Sequence, residues 1–261
     1  MIVMLDEIIE KTRKRVEDAK QIISLDDLKN EVSLMGIDNE FPFKRALSSD
    51  DISIIAEVKK ASPSKGIIAE DFDYLAIAKE YEDAGASAIS VLTEPYFFLG
   101  SDDYLKEIAE NVNVPVLRKD FVVDEYMIWE AKALGASAIL LIVSILDIVQ
   151  LKKYLDLAHD LGLSAIVEAH DGDEIMRALT VGAEIIGVNN RNLADFTVDI
   201  ENSINLRRCV SGDVIFISES GIKTKEDVAR LKENDVDAVL IGETLMKCDD
   251  KKAMISEFKN G

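Results

Sequence analysis

At 261 residues, with 48% hydrophobic and 31% charged side chains, the chain has the balance of a soluble globular protein and ample length for a buried core. Thirty basic against fifty acidic residues give a net charge of −20, which argues against nucleic acid or an anionic membrane as partner. The longest apolar run, Ala138 to Leu146, is too short to span a bilayer, and the N-terminus turns acidic at Asp6, too soon for a signal peptide, so a cytoplasmic location is expected.

The first fifty residues read as a helical extension. "LDEIIEKTRKRVEDAK" and "LDDLKNEVSLMG" have the spacing of amphipathic helices, and a turn is expected at Phe41-Pro42. Short apolar strands then follow at Ile54–Lys59, Ala88–Glu94, Pro115–Phe121, Ala138–Val143, Ser164–His170, Glu184–Asn190, Val214–Ser220 and Ala238–Glu243. Segments such as "DYLAIAKEYEDAG" and "DEYMIWEAKALG" separate them with helical periodicity. "AGASAISVL" returns as "LGASAILLI", with weaker echoes from Leu161, Val181, Ser211 and Asn234, each placing a Gly or Asn where a left-handed residue closes a helix. Eight strands alternating with helices predict a (β/α)₈ TIM barrel, one domain over 1–261 with 1–50 as its extension. A doubly wound open sheet would alternate in the same way, but neither GxGxxG nor GxxxxGK[ST] occurs.

Glu57 and Lys59 lie two apart in an otherwise apolar strand, so both point to one face. An edge strand could leave them in water. A barrel has no edge, and its active sites lie at the C-terminal strand ends. Other strands also end polar: Arg118, Lys119 and Asp120; Glu168 and His170; Asn189, Asn190 and Arg191; Ser218, Glu219, Ser220 and Gly221; Gly242 and Glu243. These converge on a polar mouth. The loops after the last two strands, with Gly221 and Gly242, suit a phosphate, and Ser62, Ser64 and Lys65 could close over it. Glu243 beside Gly242 is an objection unless its side chain turns away. The competing reading is that these glycines only terminate strands. Glu57, Lys59, Lys119 and Glu168 form an acid–base set, against the alternative of two structural ion pairs, Glu57–Lys59 and Lys119–Glu168. Cys209 and Cys248 lack metal or CxxC spacing, and His159 and His170 make no zinc pattern.

"AEVKKASPSKG", "TEPYFFLGSDDYL", "VPVLRKDF", "IVEAH", "IGVNNRNL", "ISESGI" and "IGETLM" together resemble the indole-3-glycerol phosphate synthase family, in order and along the whole chain. The resemblance implies a (β/α)₈ barrel that closes the indole ring of 1-(2-carboxyphenylamino)-1-deoxyribulose 5-phosphate, releasing carbon dioxide and water, without a metal or organic cofactor. It implies Lys119 as general acid for ring closure, Glu168 and Lys59 as the dehydration pair, and Glu57 as a residue that orients and tunes the lysines. Asn189 and Glu219 match groups at the sugar hydroxyls and reacting centre. Arg191 and Lys59 can meet the substrate carboxylate, and Ser62, Ser220, Gly221, Gly242 and Glu243 match phosphate-binding positions. Leu99 stands where the family commonly has glutamine. The partner implied is a phosphorylated small molecule, and both a monomer and a homodimer stay open. A methyl at Gly242 is expected to obstruct the phosphate without touching the acid–base residues. Phosphoribosylanthranilate isomerase, another phosphate-binding barrel, is a rival whose expected cysteine–aspartate pair is missing here. A silent scaffold barrel would predict loss of a proton-transfer residue, and none is lost.

Overall fold

The computed structural model describes residues 2–37, 39–191 and 197–259. Asn192 and Leu193, at the end of the "IGVNNRNL" motif, lie outside the described residues. Eight parallel strands close into a barrel: β1 (Ser53–Val58), β2 (Ala88–Leu92), β3 (Val116–Lys119), β4 (Ala138–Ile142), β5 (Ser164–Ala169), β6 (Ile185–Asn189), β7 (Ile215–Glu219) and β8 (Ala238–Ile241). β1 completes the ring by pairing with β2 (Ile55 opposite Ala88) and β8 (Ala56 opposite Ile241). The eight predicted strands are all present; seven are shorter than expected, and β1 has the expected length but begins one residue earlier, so that Lys59 lies just beyond it. Among the described residues no helix is long and apolar enough to cross a membrane.

Both faces of every strand are covered, and two apolar clusters divide along the pleat. Ile55, Leu117, Leu140, Ile166, Ile217 and Leu240 pack inside the barrel. Ile54, Ala56, Val167, Ile186, Phe216 and Val239 pack outward against the helices. Four of the turns that return a helix to a strand use left-handed residues, at Gly85, Gly135, Gly162 and Gly182, as the repeat suggested, whereas Gly212, in the echo from Ser211, does not take a positive φ. Near the end of the chain it is Asp235, and not the expected Asn234, that takes the positive φ, 59°.

The extension makes three helices, α1 (Ile2–Ile22), α2 (Leu25–Met35) and α3 (Pro42–Leu47). The expected turn is there: Phe41 has φ 47°. It leads directly into α3, a helix that the sequence reading did not anticipate, with Pro42 in its first turn where a missing N–H costs nothing. α3 sends the fully buried Phe43 and Leu47 into the inner cluster, and its Lys44 amide donates to Ser164 Oγ at the start of β5 (3.2 Å). α3 therefore plugs the N-terminal end of the barrel. α1 lies at the opposite end. Its Arg15 donates to Asp120 Oδ2 (2.7 Å) and to the Thr93 carbonyl (3.2 Å), while Lys20 pairs with Asp124 (2.7 Å). One end of the barrel is closed by packing, and the other is left for chemistry.

Candidate active site

Side chains alternate along a strand, so one step inward beyond each core residue names the floor of the open end. Ile55 is followed by Glu57, Leu117 by Lys119, Ile166 by Glu168, Ile217 by Glu219, and Leu240 by Gly242. On β6 the series runs Ile185, Gly187, Asn189. Glu57, Lys119, Asn189, Glu219 and Gly242 line one cavity, and Lys119, Glu168 and Asn189 line a second that adjoins it.

Lys119 stands where the two cavities meet. Its Nζ donates to Glu219 Oε2 (2.7 Å) and Glu168 Oε2 (3.1 Å). Lys59 Nζ lies 2.5 Å from Glu57 Oε1. The two ion pairs of the structural alternative, Glu57–Lys59 and Lys119–Glu168, are thus both formed, but they line open space instead of filling a core. Burial disfavours the Lys119 ammonium, yet Glu219 and Glu168 outweigh it and hold its pKa above the ordinary lysine value. Burial alone would raise Glu168; Lys119 first, then His170, bring its pKa below the usual glutamate value. Glu219 goes the other way. Burial, with the Glu168 and Glu57 charges adding to it, outweighs Lys119 and pushes Glu219 up to about 7. Two carboxylates sharing one ammonium cannot ionise equally: Glu168 keeps the charge and Glu219 is the one poised to hold a proton.

That asymmetry has a stability consequence. A carboxyl raised in the folded state favours folding below its unfolded pKa, and the contribution is lost as pH rises through the folded value. Between pH 4.5 and about 7, Glu219→Gln should therefore gain stability relative to the parent, by on the order of 2 kcal/mol. Chemical denaturation of both proteins across that interval measures it, and a pH-independent difference would contradict the shift.

Not every polar strand end belongs to the mouth. Arg118, Asn190 and Ser218, expected there with the others, line neither cavity, whereas Asp120 does line the apolar one. Arg118, 1% exposed, donates to Asp102, Glu130, Thr93 and the Met127 carbonyl between barrel and helices. Asp120 accepts from Arg15 and Thr93, and so ties α1 to the residue next to Lys119. Asn190 donates to Ser218 and the Ser220 carbonyl, and accepts from Ser203. Arg118, Asn190 and Ser218 brace the site from behind, and Asp120 does so from the wall of the apolar cavity.

The first cavity has the residues for an anion. Ser220 (φ 68°) and Gly221 (φ 89°) are consecutive left-handed residues after β7. A side chain at 221 would also meet Val198 Cγ1 at 2.4 Å, so glycine is required there on two counts. Ser64, Lys65, Gly242, Glu243 and two lysines not anticipated from sequence, Lys223 and Lys247, share this cavity. Glu243 is turned to the lysines: Lys247 lies at 2.7 Å and Lys65 at 3.5 Å. Although burial raises it, the hydrogen bond and charge of Lys247 bring the Glu243 pKa below the usual range. Ser62 lines the neighbouring cavity, with its Oγ 3.5 Å from Ser64 Oγ. One expectation fails outright. A Cβ at Gly242 would sit 2.3 Å from Glu57 Oε1 and 2.9 Å from Lys59 Nζ. β8 is the neighbour of β1, so Gly242 gives room to the acid–base pair as well as to any anion.

The second cavity is largely apolar, lined by Leu5, Ile8, Phe98, Phe121, Leu140 and Ile142 among others. Leu5 and Ile8 come from α1, whose role here had no signal beyond amphipathicity. Glu94 shapes the loop that carries Phe98, accepting from the amides of Tyr96, Phe97 and Phe98. Leu99 in the same loop has φ 53°, a left-handed conformation unusual for leucine. Arg191 lines both cavities, and its amide donates to Asn189 Oδ1 (3.0 Å). Among the described residues no group of three or more His, Cys, Asp and Glu could hold a metal ion.

The family model for indole-3-glycerol phosphate synthase matches residues 5–258. The chain belongs to the indole-3-glycerol phosphate synthase family. The synthase of Endomicrobium trichonymphae is 55% identical over 257 residues, covering 98% of this chain and 100% of the relative. That of Ruminiclostridium cellulolyticum is 50% identical over 256 residues, covering 98% of both. Among solved structures, 3-hexulose-6-phosphate synthase from Salmonella typhimurium superposes with a TM-score of 0.66 at 14% identity, over 80% of this chain and 97% of the other. That likeness concerns the barrel alone. A synthase of an indole carrying a glycerol phosphate has use for the two compartments found here, one polar with cationic walls and one apolar.

Proposed function

We propose that residues 1–261 work as one barrel domain that converts 1-(2-carboxyphenylamino)-1-deoxyribulose 5-phosphate to indole-3-glycerol phosphate, with the sugar phosphate in the polar cavity and the aromatic ring in the apolar one. The observation that carries this reading is the position of Lys119, at the junction of the cavities with two carboxylates within 3.1 Å.

The phosphate meets the Gly221 and Gly242 backbones, the hydroxyls of Ser62 and Ser220, and the lysines that hold Glu243 aside. Arg191 and Lys59 take the substrate carboxylate. The ring carbon bearing that carboxylate attacks the ketone, and Lys119 passes its proton to the ketone oxygen as the new carbon–carbon bond forms. The carbon–carboxylate bond then breaks, its electrons restore the aromatic ring, and carbon dioxide leaves. Lys59 protonates the remaining hydroxyl, which departs as water, while Glu168, held ionised, removes the proton from the adjacent carbon. Glu57 sets the position of Lys59. Asn189 and Glu219 hold the sugar hydroxyls and the reacting centre. Every group comes from one chain, so a monomer or a homodimer would serve equally.

The test is growth of indole fluorescence from the carboxyphenylamino sugar phosphate, with Glu168→Gln as the discriminating variant. The parent should turn over, and the variant should be slowed by about 10² to 10⁴ while binding a product analogue within a few-fold. Absence of fluorescence from the parent would end the reading. A variant that fails to bind or fold would make Glu168 a structural partner instead.

A further inference from the structure

Behind Glu168, one residue beyond the end of β5, stands His170. Neither cavity reaches it, and the chemistry above leaves it without a task. Its surroundings are unusually well defined. The helix Gly172–Thr180 starts on an Asp171 cap, which accepts from the Glu174 amide (2.9 Å) and so fixes the first turn. From that turn Glu174 reaches back: its Oε2 accepts from the His170 amide (2.8 Å) and lies 3.1 Å from His170 Nδ1. The ring is thereby anchored through one nitrogen. The other nitrogen, Nε2, is buried without a hydrogen-bond partner and lies 3.7 Å from Glu168 Oε1. Asn202 holds the backbone at the same place, donating to the His170 carbonyl (3.3 Å).

Glu168 therefore has a different neighbour on each oxygen: Lys119 at Oε2 and His170 at Oε1. We propose that His170 is a positioning residue for the reaction, an imidazolium clamped by Glu174 whose buried Nε2–H faces Glu168 and keeps that carboxylate ionised for its role as base. The inference rests on the base role given to Glu168 above.

The groups facing His170 favour the charged ring. Burial works against it, but the hydrogen bond to Glu174 and the charges of Glu168, Glu174 and Glu219 raise its pKa above the ordinary histidine value. An anchored Nδ1 matters because it removes ring rotation, so the second N–H is aimed before substrate arrives. A cation at this separation lowers the pKa of a neighbouring carboxyl. Removing it must raise the Glu168 pKa, so a larger fraction of Glu168 is protonated, and useless as a base, at any acidic pH. Above the His170 pKa the parent has also lost this charge, and the difference closes.

The experiment is kcat and KM from pH 3.5 to 9 for the parent, His170→Phe, His170→Lys and Glu174→Gln. His170→Phe should shift the acid limb of kcat/KM to higher pH by about one unit, a deficit of roughly tenfold on that limb that shrinks to within about threefold at pH 8. KM should stay within about twofold at the alkaline end. His170→Lys, which retains a cation, should restore part of the limb. Glu174→Gln, which keeps an acceptor for the ring but removes the charge that favours the imidazolium, should move the limb in the same direction by less. A loss equal at every pH, or limbs that coincide with the parent in both His170→Phe and Glu174→Gln, would overturn the proposal. Should His170→Phe fold poorly, Glu174→Gln and His170→Lys decide the matter. Glu168→Gln separates the levels: if it is inactive while the His170 and Glu174 variants match the parent at every pH, only this inference falls. If Glu168→Gln is active, the base role falls first.

Discussion

Lys119→Met should lower turnover by about 10² to 10⁴ while substrate still binds through its phosphate and carboxylate. Methionine keeps most of the side-chain volume, so packing under the mouth is little changed. What disappears is a proton donor and the shared partner of Glu168 and Glu219, both nearly inaccessible. Breaking a buried pair normally costs about 3–5 kcal/mol, because the abandoned charge stays buried. Here part of that cost is avoidable. Glu219 is already pushed up to about 7 and rises further without Lys119, while Glu168 loses the main charge that holds its pKa down. Sign follows from linkage: raised folded values mean stability present at low pH and lost as pH rises. The variant should be close to the parent in stability near pH 5 and fall progressively behind it toward pH 8. Steady-state kinetics and denaturation at the two pH values check both halves. Near-full turnover would remove Lys119 from the mechanism, and a stability deficit independent of pH would separate it from the carboxylate pair.

Gly242→Ala should damage chemistry and phosphate binding together. The added methyl would lie 2.3 Å from Glu57 Oε1 and 3.1 Å from Glu57 Cδ. Backbone retreat is restrained, because Ile241, the preceding residue, is paired with Ala56 of β1. Glu57 must swing away instead, opening its contact with Lys59, and overpacking of this kind typically costs about 1–3 kcal/mol. Turnover should fall by at least about 10², and an analogue lacking the phosphate should lose affinity along with one that carries it. Gly221→Ala is the contrasting variant. Its methyl would strike Val198 and force an unfavourable left-handed alanine, but it would lie apart from Glu57 and Lys59. That variant should weaken the phosphorylated ligand selectively. Equal losses for both ligands at position 221, or a phosphate-selective loss at 242, would reverse these assignments.

Much of this protein was legible in its sequence. The alternation of apolar strands with amphipathic helices gave the barrel, because period and turn residues are local properties. The acid–base residues were visible as charges inside apolar runs, and the barrel told which strand ends must converge. The inner and outer faces were not legible. A strand covered on both sides is apolar at every position, so its alternation carries no label for the inside. Periodicity alone does not separate Lys119 from its neighbour Arg118, and only the closed sheet shows one facing the cavities and the other bonded to Asp102 and Glu130. The same limit applies to Glu219. Its neighbours Lys119 and Glu168 come from distant strands, and the elevated pKa is a product of their meeting under burial. Gly242 and Glu57 belong to the last and first strands, and they touch because the barrel closes. Sequence determined which residues could act and at which end of the barrel. Tertiary structure decided which carboxylate is pushed up toward holding a proton, which glycine gives room to Glu57, and how far α1 reaches over the apolar cavity, since each depends on distances between segments that the chain order does not encode.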